Sequence, residues 1–101
     1  MGSAASLQMS YEDMQTEIKN LTRYANDFEK ATESMTTSVN TLCEGWISES
    51  TETYREDYTA LANNFTQTLE VVRELIDSTS KYIADMQKVD SAYSKHKVQV
   101  G

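Results

Sequence analysis

The sequence predicts an all-α fold, a helix-turn-helix hairpin of two long antiparallel helices. The 101 residues include no proline, and Gly45 is the only glycine away from the chain ends. A fold with many turns or strands needs more turn residues than this. On both sides of Gly45, apolar residues recur at alternating spacings of three and four. An α-helix places such residues on one face, whereas a strand needs a period of two.

The first helix is predicted from about Ser10 to Glu44. Ser10 is a candidate N-cap, and Asp13 follows three residues later, as in a capping box. The alternating spacing predicts a helix that packs lengthwise on another helix. Only one member of its stripe, Thr32, is polar. The stripe consists of Tyr11, Met14, Ile18, Leu21, Ala25, Phe28, Thr32, Met35, Val39, Leu42 and Trp46.

The break between the helices is formed by Gly45, Trp46, Ile47 and Ser48. Gly45 is predicted to end the first helix in the left-handed conformation. Ser48 is predicted to N-cap the second helix, with Glu49 in its first turn. The Trp46 ring has two interpretations. It packs as a plug between the helix ends, or it anchors a partner, because tryptophan is frequent at interface hot spots.

The second helix is predicted from about Glu49 to Lys95. Its apolar face is broader than that of the first helix, because Leu69, Ile76 and Ile83 widen the stripe. A face wider than a two-position seam can touch more than one neighbour. The stripe itself consists of Tyr54, Tyr58, Leu61, Phe65, Thr68, Val72, Leu75, Thr79, Tyr82, Met86, Val89 and Tyr93.

We expect one domain over residues 9–95, with residues 1–8 a leftover of cloning and residues 96–101 a flexible tail. Two long rods bury only one seam and gain little core for their length. A second hairpin would cover their flanks in a four-helix bundle, so we expect a dimer, by default a two-fold homodimer. The residues expected to pack in the core or the dimer are Leu21, Phe28, Met35, Leu42, Tyr58, Phe65 and Val72.

Composition and motifs argue against most other functions. A net charge of -7 disfavours nucleic acid as a partner. The lone Cys43 has no disulfide partner and is expected to be a small packing residue. The one histidine, His96, has no metal-ligand spacing around it, and no phosphate-binding loop or nucleophile elbow is present. We therefore expect a non-enzymatic protein with no catalytic residues, cofactor, metal or small-molecule substrate.

Two heptad helices and a tryptophan at the bend of a 101-residue chain resemble the WXG (ESAT-like) family of type VII secretion substrates. The resemblance extends from about Met9 to Tyr93. The Trp-x-Gly motif of that family reads Trp46-Ile47-Ser48 here, with serine in place of glycine. The backbone freedom is then expected at Gly45, which leaves Ser48 to cap the second helix.

The resemblance implies a leaderless protein, cytoplasmic before export, that leaves a Gram-positive cell through a type VII (ESX-like) apparatus. It implies pairing with itself or with a sister WXG-type subunit. The membrane ATPase of the apparatus and a larger toxin are further implied partners. It also implies a C-terminal secretion signal. The Tyr-x-x-x-Asp/Glu form is one residue too short here, and a looser form fits except at Lys97. The implied signal residues are Tyr82, Asp85, Met86, Asp90 and Tyr93.

A different class of function remains open, that of a cytosolic coiled-coil adaptor or structural assembly subunit. Trp46 at the bend favours the secreted protein, whereas Ser48 at the glycine position of the motif and the imperfect tail favour the adaptor. Both interpretations predict helical oligomers. Gene neighbours separate them, because a type VII ATPase or a large toxin gene nearby would support secretion.

Overall fold

The protein is described by a computed structural model that covers the backbone of residues 9–100 and the side chains of residues 9–93. Helix α1 spans Tyr11–Gly45 and helix α2 spans Glu49–Val100, and the two pack as a hairpin. The predicted all-α hairpin is thus confirmed. Within the described residues, neither helix has an apolar stretch long enough to cross a membrane. The proposed cloning leftover, residues 1–8, lies outside the described residues.

Helix α1 begins with the N-cap that the sequence predicts. The backbone N–H of Asp13 donates to Ser10 Oγ over 3.0 Å. The N–H of Met14 donates to the Ser10 carbonyl, also over 3.0 Å. The first bond satisfies an N–H group that a helix start leaves without an intrahelical partner, and the second is the first backbone bond of the helix itself. Glu12 and Asp13 lie in the same first turn, where negative charge suits the helix dipole.

The bend is closed by a threonine side chain rather than by a left-handed glycine. Gly45 is the last residue of α1 and does not have a positive φ, so its predicted left-handed conformation is wrong. Thr51 Oγ1 instead donates to the Trp46 carbonyl over 2.6 Å and accepts from the Ser48 N–H over 3.3 Å. Because these bonds close the turn from the α2 side, a left-handed residue is not required.

Ser48 directly precedes α2, at the predicted N-cap position. Its carbonyl accepts the N–H of Thr51 over 3.2 Å. Its hydroxyl lies 3.4 Å from Thr51 Oγ1, not against a backbone N–H. Thr51 therefore performs the half of a capping box that reaches back from the third helical residue. The capping signals of the sequence point to Gly45 and Ser48 at the bend and not to Thr51.

Helix α2 continues to Val100, beyond the end near Lys95 that the sequence predicts. The division into a domain over residues 9–95 and a tail over residues 96–101 stays a prediction. His96 lies outside the described side chains.

The chain divides into two compact units, and each helix contributes to both. The bend unit is Arg23–Glu74 and contains the turn. The terminal unit combines the chain up to Thr22 with the chain from Leu75 onward.

The bend unit has a narrow seam. On α1 its buried residues are Ala25, Val39 and Cys43, so Cys43 packs as predicted. On α2 the seam of the bend unit is formed by half-buried residues, and one of them is a phenylalanine. These half-buried residues are Tyr58, Ala62, Phe65, Leu69 and Val72. Small side chains on α1 thus face larger ones on α2.

The predicted α2 stripe is only partly correct. Alternate members, Tyr58, Phe65, Val72 and Thr79, are half-buried, whereas Leu61, Thr68, Leu75, Tyr82 and Val89 are exposed. Leu69, Ile76 and Ile83, expected only to widen the stripe, are covered instead. The difference is sharpest between neighbours, since Ile83 is 8% exposed and Tyr82 is 66% exposed. One partner helix covers a stripe of roughly 100°, and the α2 face is wider than that.

Replacing Ile83 with alanine should destabilise the hairpin far more than replacing Tyr82. For Ile83→Ala we expect the free energy of unfolding to fall by about 2 kcal/mol or more, because a buried aliphatic side chain leaves a cavity. For Tyr82→Ala we expect a loss of roughly 0.5 kcal/mol or less. Urea unfolding in dilute solution measures both. Equal losses, or the reverse order, would contradict the orientation of α2 described above.

Candidate protein-binding surface

Helix α1 leaves a row of large apolar side chains exposed. Leu21, Phe28, Met35 and Leu42 follow one another at seven-residue intervals and are all exposed. These are the four α1 residues that the sequence assigns to core or dimer packing. The three assigned on α2, described above, are half-buried in the seam. The single chain thus leaves between 37% and 56% of each of these four residues exposed.

A groove in the bend unit shows on which side of the seam these residues lie. It measures about 380 Å³ and has contributions from both helices. Its lining is Glu29, Thr32, Glu33, Thr36, Ala62, Phe65, Thr66 and Leu69. An α-helix turns about 100° per residue. The groove residues of each helix follow one another at spacings of three, one and three. Phe28 and Leu61 come one position before the first of each set, about 100° around the helix, and therefore lie on the other side of the seam. Within the bend unit, Met35 and Leu42 of α1 and Val71 of α2 share that side by the same helical spacing.

We call this side of the bend unit the uncharged face. Its members are uncharged, although a quarter of the whole chain (25%) is Asp, Glu, Lys or Arg. All of them are exposed. They are Phe28, Ala31, Met35, Ser38 and Leu42 on α1, with Leu61, Asn64, Thr68 and Val71 on α2. The one charged residue on the same side is Asp57, one turn before Leu61, so charge is sparse on the most apolar exposed surface of the bend unit.

Aromatic and charged residues mark the limits of the uncharged face. The Phe28 ring meets the Phe65 ring edge-on, with centroids 6.0 Å apart, so Phe28 is already anchored to the seam. One turn before Phe28, the Arg23 guanidinium lies over the Tyr24 ring at 5.3 Å. On α2, Asp57 occupies the position one turn before Leu61.

The groove side of the bend unit is polar. Arg73 donates to Glu29 Oε1 over 3.0 Å and to Asn26 Oδ1 over 3.1 Å. The hydroxyls of Thr36 and Tyr58 are hydrogen-bonded over 2.7 Å. These contacts join α1 to α2. The side chains of Arg73 and Glu29 are 39% and 49% exposed, so solvent screens the ion pair and its contribution is at most about 1 kcal/mol.

The bend presents a second small apolar surface. The Trp46 ring packs against Tyr54, with centroids 5.4 Å apart, yet it remains exposed. Ile47 is 95% exposed. Trp46 thus packs on one face, as a plug would, and leaves another face accessible, as an anchor would.

The terminal unit contains the residues of the implied secretion signal. Tyr82, Met86, Val89 and Tyr93 are exposed and follow the spacing of one helix face. Tyr82, Asp85, Met86, Val89 and Asp90 line a shallow hollow of about 330 Å³. Four of the implied signal residues therefore lie together, and Tyr93 lies one turn beyond Val89.

A tyrosine of α1 contacts this region within the terminal unit. The Tyr11 hydroxyl donates a hydrogen bond to Asp90 Oδ2. That bond, partial burial and the negative charge of Asp90 raise the pKa of Tyr11 above 10.0. The apolar spacing places Tyr11 only in the stripe of α1 and gives no sign of this contact with Asp90.

No group of three or more His, Cys, Asp and Glu side chains in the described part of the chain could hold a metal ion. The exposed apolar surfaces are thus the features left to explain. No protein-family model, curated protein or solved structure matches this chain.

Replacing Tyr11 with phenylalanine should change the alkaline titration of the protein. The raised pKa means that the contact with Asp90 stabilises the fold below pH 10.0 and that this stabilisation is lost as pH rises through the folded-state pKa. Absorbance titration of tyrosinate should lose a step above pH 10.0 in Tyr11→Phe. If the lost step has an ordinary tyrosine pKa, the contact does not form in solution.

Proposed function

We propose that this chain is a non-enzymatic protein-binding subunit whose uncharged face pairs with a second helical hairpin to form a four-helix bundle. The observation that carries the proposal is the seven-residue row of exposed apolar side chains beside a seam that is already filled. Heptad spacing suits packing against further helices. In a four-helix bundle, two more helices bury such flanks.

The charge distribution favours a second copy of this chain as the partner. Two copies that each carry a net charge of -7 repel one another overall. Like charges placed opposite each other in an interface weaken binding by roughly several kcal/mol. The uncharged face reduces this cost, because Asp57 is the one charged side chain that each copy brings to that side. A sister hairpin with a similar face is the alternative partner.

The expected affinity is moderate. Full burial of a Leu, Met or Phe side chain contributes about 1.5–3 kcal/mol. About half of Phe28, Met35, Leu42 and Leu61 is already covered, so covering the rest contributes about 1 kcal/mol for each. Association costs roughly 4–15 kcal/mol before any contact is counted. Pairing is therefore expected to depend on concentration.

A finer proposal is that the paired protein is a WXG-type substrate or secretion partner, exported without a leader through a type VII apparatus. The position of Trp46 at the bend supports it. The exposed aromatic face of the terminal unit is compatible with a docking segment for the export ATPase, and a larger toxin would be its cargo partner.

Retention in the cell as an adaptor or assembly subunit is the second candidate. The residue that favours it is Ser48, which replaces the glycine of the WXG motif and occupies the N-cap position of α2. Pairing through the uncharged face is common to both candidates. Whether the protein leaves the cell distinguishes the two candidates.

A single charge on the uncharged face should abolish self-pairing. Met35→Glu introduces a carboxylate that must be buried without a counter-ion, so we expect a monomer at concentrations where the natural chain is a dimer. Asn40→Glu is the matched control, because it adds the same charge to α1 on the opposite side. Light scattering over a concentration series gives the masses. A natural chain that stays monomeric throughout would contradict pairing with itself.

Export should be lost when Tyr82, Met86, Asp90 and Tyr93 are all replaced by alanine, because the helix face read by the secretion apparatus is then gone. The measurement is the ratio of secreted to cellular protein in a host with a type VII apparatus. Light scattering on the same variant checks that pairing is intact. Normal export of the variant would exclude these residues as the signal, and a natural chain that never leaves the cell would favour the adaptor.

A further inference from the structure

Met35 lies at the centre of the α1 row on the uncharged face. It is 45% exposed in the single chain. Phe28 and Leu42 flank it at one heptad on either side, and Ala31 and Ser38 are its small neighbours on the same face. Its sulfur therefore lies on a surface open to solvent when the chain is alone and covered when the face is paired.

Met35 is also the only methionine of the bend unit. Met9, Met14 and Met86 belong to the terminal unit. A chemical change confined to methionine can therefore alter the uncharged face at one position only. The one charged group on that side is the carboxylate of Asp57, and a carboxylate is an acceptor that offers no donor to a new polar group placed there.

We propose that Met35 is an oxidation site that regulates pairing, with a peroxide as the oxidant. The proposal rests on the pairing function described above. In the reaction, a lone pair of the thioether sulfur attacks one peroxide oxygen. A sulfur–oxygen bond forms, the oxygen–oxygen bond breaks, and the departing hydroxide takes up the remaining proton as water. The sulfur is oxidised by two electrons and the peroxide is reduced by two.

The product, methionine sulfoxide, opposes pairing for a definite reason. Its S=O group is a strong hydrogen-bond acceptor that binds water in the free chain. Phe28, Leu42 and Leu61 offer no donor to replace that water, and the donors of the face are limited to Ser38, Asn64 and Thr68. Moving a strongly hydrated acceptor out of water is unfavourable, so oxidation should weaken pairing by about tenfold or more. The hairpin itself should stay folded, because Met35 lies outside the seam.

Pairing should in turn protect the sulfur. In the dimer Met35 is covered, so peroxide reaches it only in the free chain. Met35 is then oxidised faster in dilute than in concentrated protein. As oxidation proceeds, the fraction of unpaired chain increases. The reductases that act on methionine sulfoxide would restore pairing. The site thus couples the peroxide level to the fraction of paired chain.

The test uses the full chain and hydrogen peroxide. Peptide mass spectrometry measures the oxidation rate of each methionine, and light scattering measures pairing before and after treatment. We expect Met35 to oxidise more slowly as protein concentration rises, and treated protein to pair about tenfold more weakly or worse. The affinity of Met35→Leu should be the same before and after this treatment, whatever its starting value.

A matched variant with Met9, Met14 and Met86 replaced by leucine keeps Met35, and it should lose affinity on treatment as the natural chain does. The proposal is overturned if the natural chain pairs equally well when oxidised, or if Met35→Leu remains sensitive. A chain that is monomeric before any treatment overturns the pairing function itself. Circular dichroism of the treated chain should keep its helical signal, and a loss of that signal would also overturn the proposal.

Discussion

A two-helix hairpin has a single seam, and this constraint governs the molecule. One seam covers a limited arc of each helix. Helix α2 alone has 52 residues, and its apolar positions span more of its circumference than α1 can cover. Some large apolar side chains must therefore remain outside. Only four hydrophobic residues among those described, Ala25, Val39, Cys43 and Ile83, are buried. The other apolar residues described are half-buried or exposed.

The polar contacts between the helices follow from the single seam. In the bend unit, the cross-helix ion pair and hydrogen bonds lie on the groove side, where Arg73 contacts Glu29. The opposite side has one charged residue, Asp57, besides the Arg23–Tyr24 pair at its end. Charge on one side keeps an apolar protein from associating indiscriminately, and its scarcity on the other leaves one face suited to pairing. Met35 is the only methionine of that face, which is why we propose it as the position that oxidation changes.

Heptad spacing and capping signals were sufficient to predict the hairpin. They placed the start of α1 beside Ser10 and the start of α2 at Glu49. They could not predict which half of a wide apolar stripe faces α1, because Tyr82 and Ile83 both belong to apolar columns and only packing distinguishes them. Nor could they predict Thr51 at the bend, since threonine has many local hydrogen-bonding choices. The uncharged face became apparent only once the groove residues fixed the side of the seam on which it lies.

Isotope-filtered nuclear Overhauser measurements on a mixture of methyl-labelled and unlabelled chains test the central claim most directly. They detect methyl groups that approach a different molecule. The account predicts intermolecular effects at the methyls of Met35, Leu42 and Leu61, and none at Ile83, which is covered within its own chain. Intermolecular effects at Ile83, or their absence from the uncharged face at concentrations where the chain is paired, would contradict it.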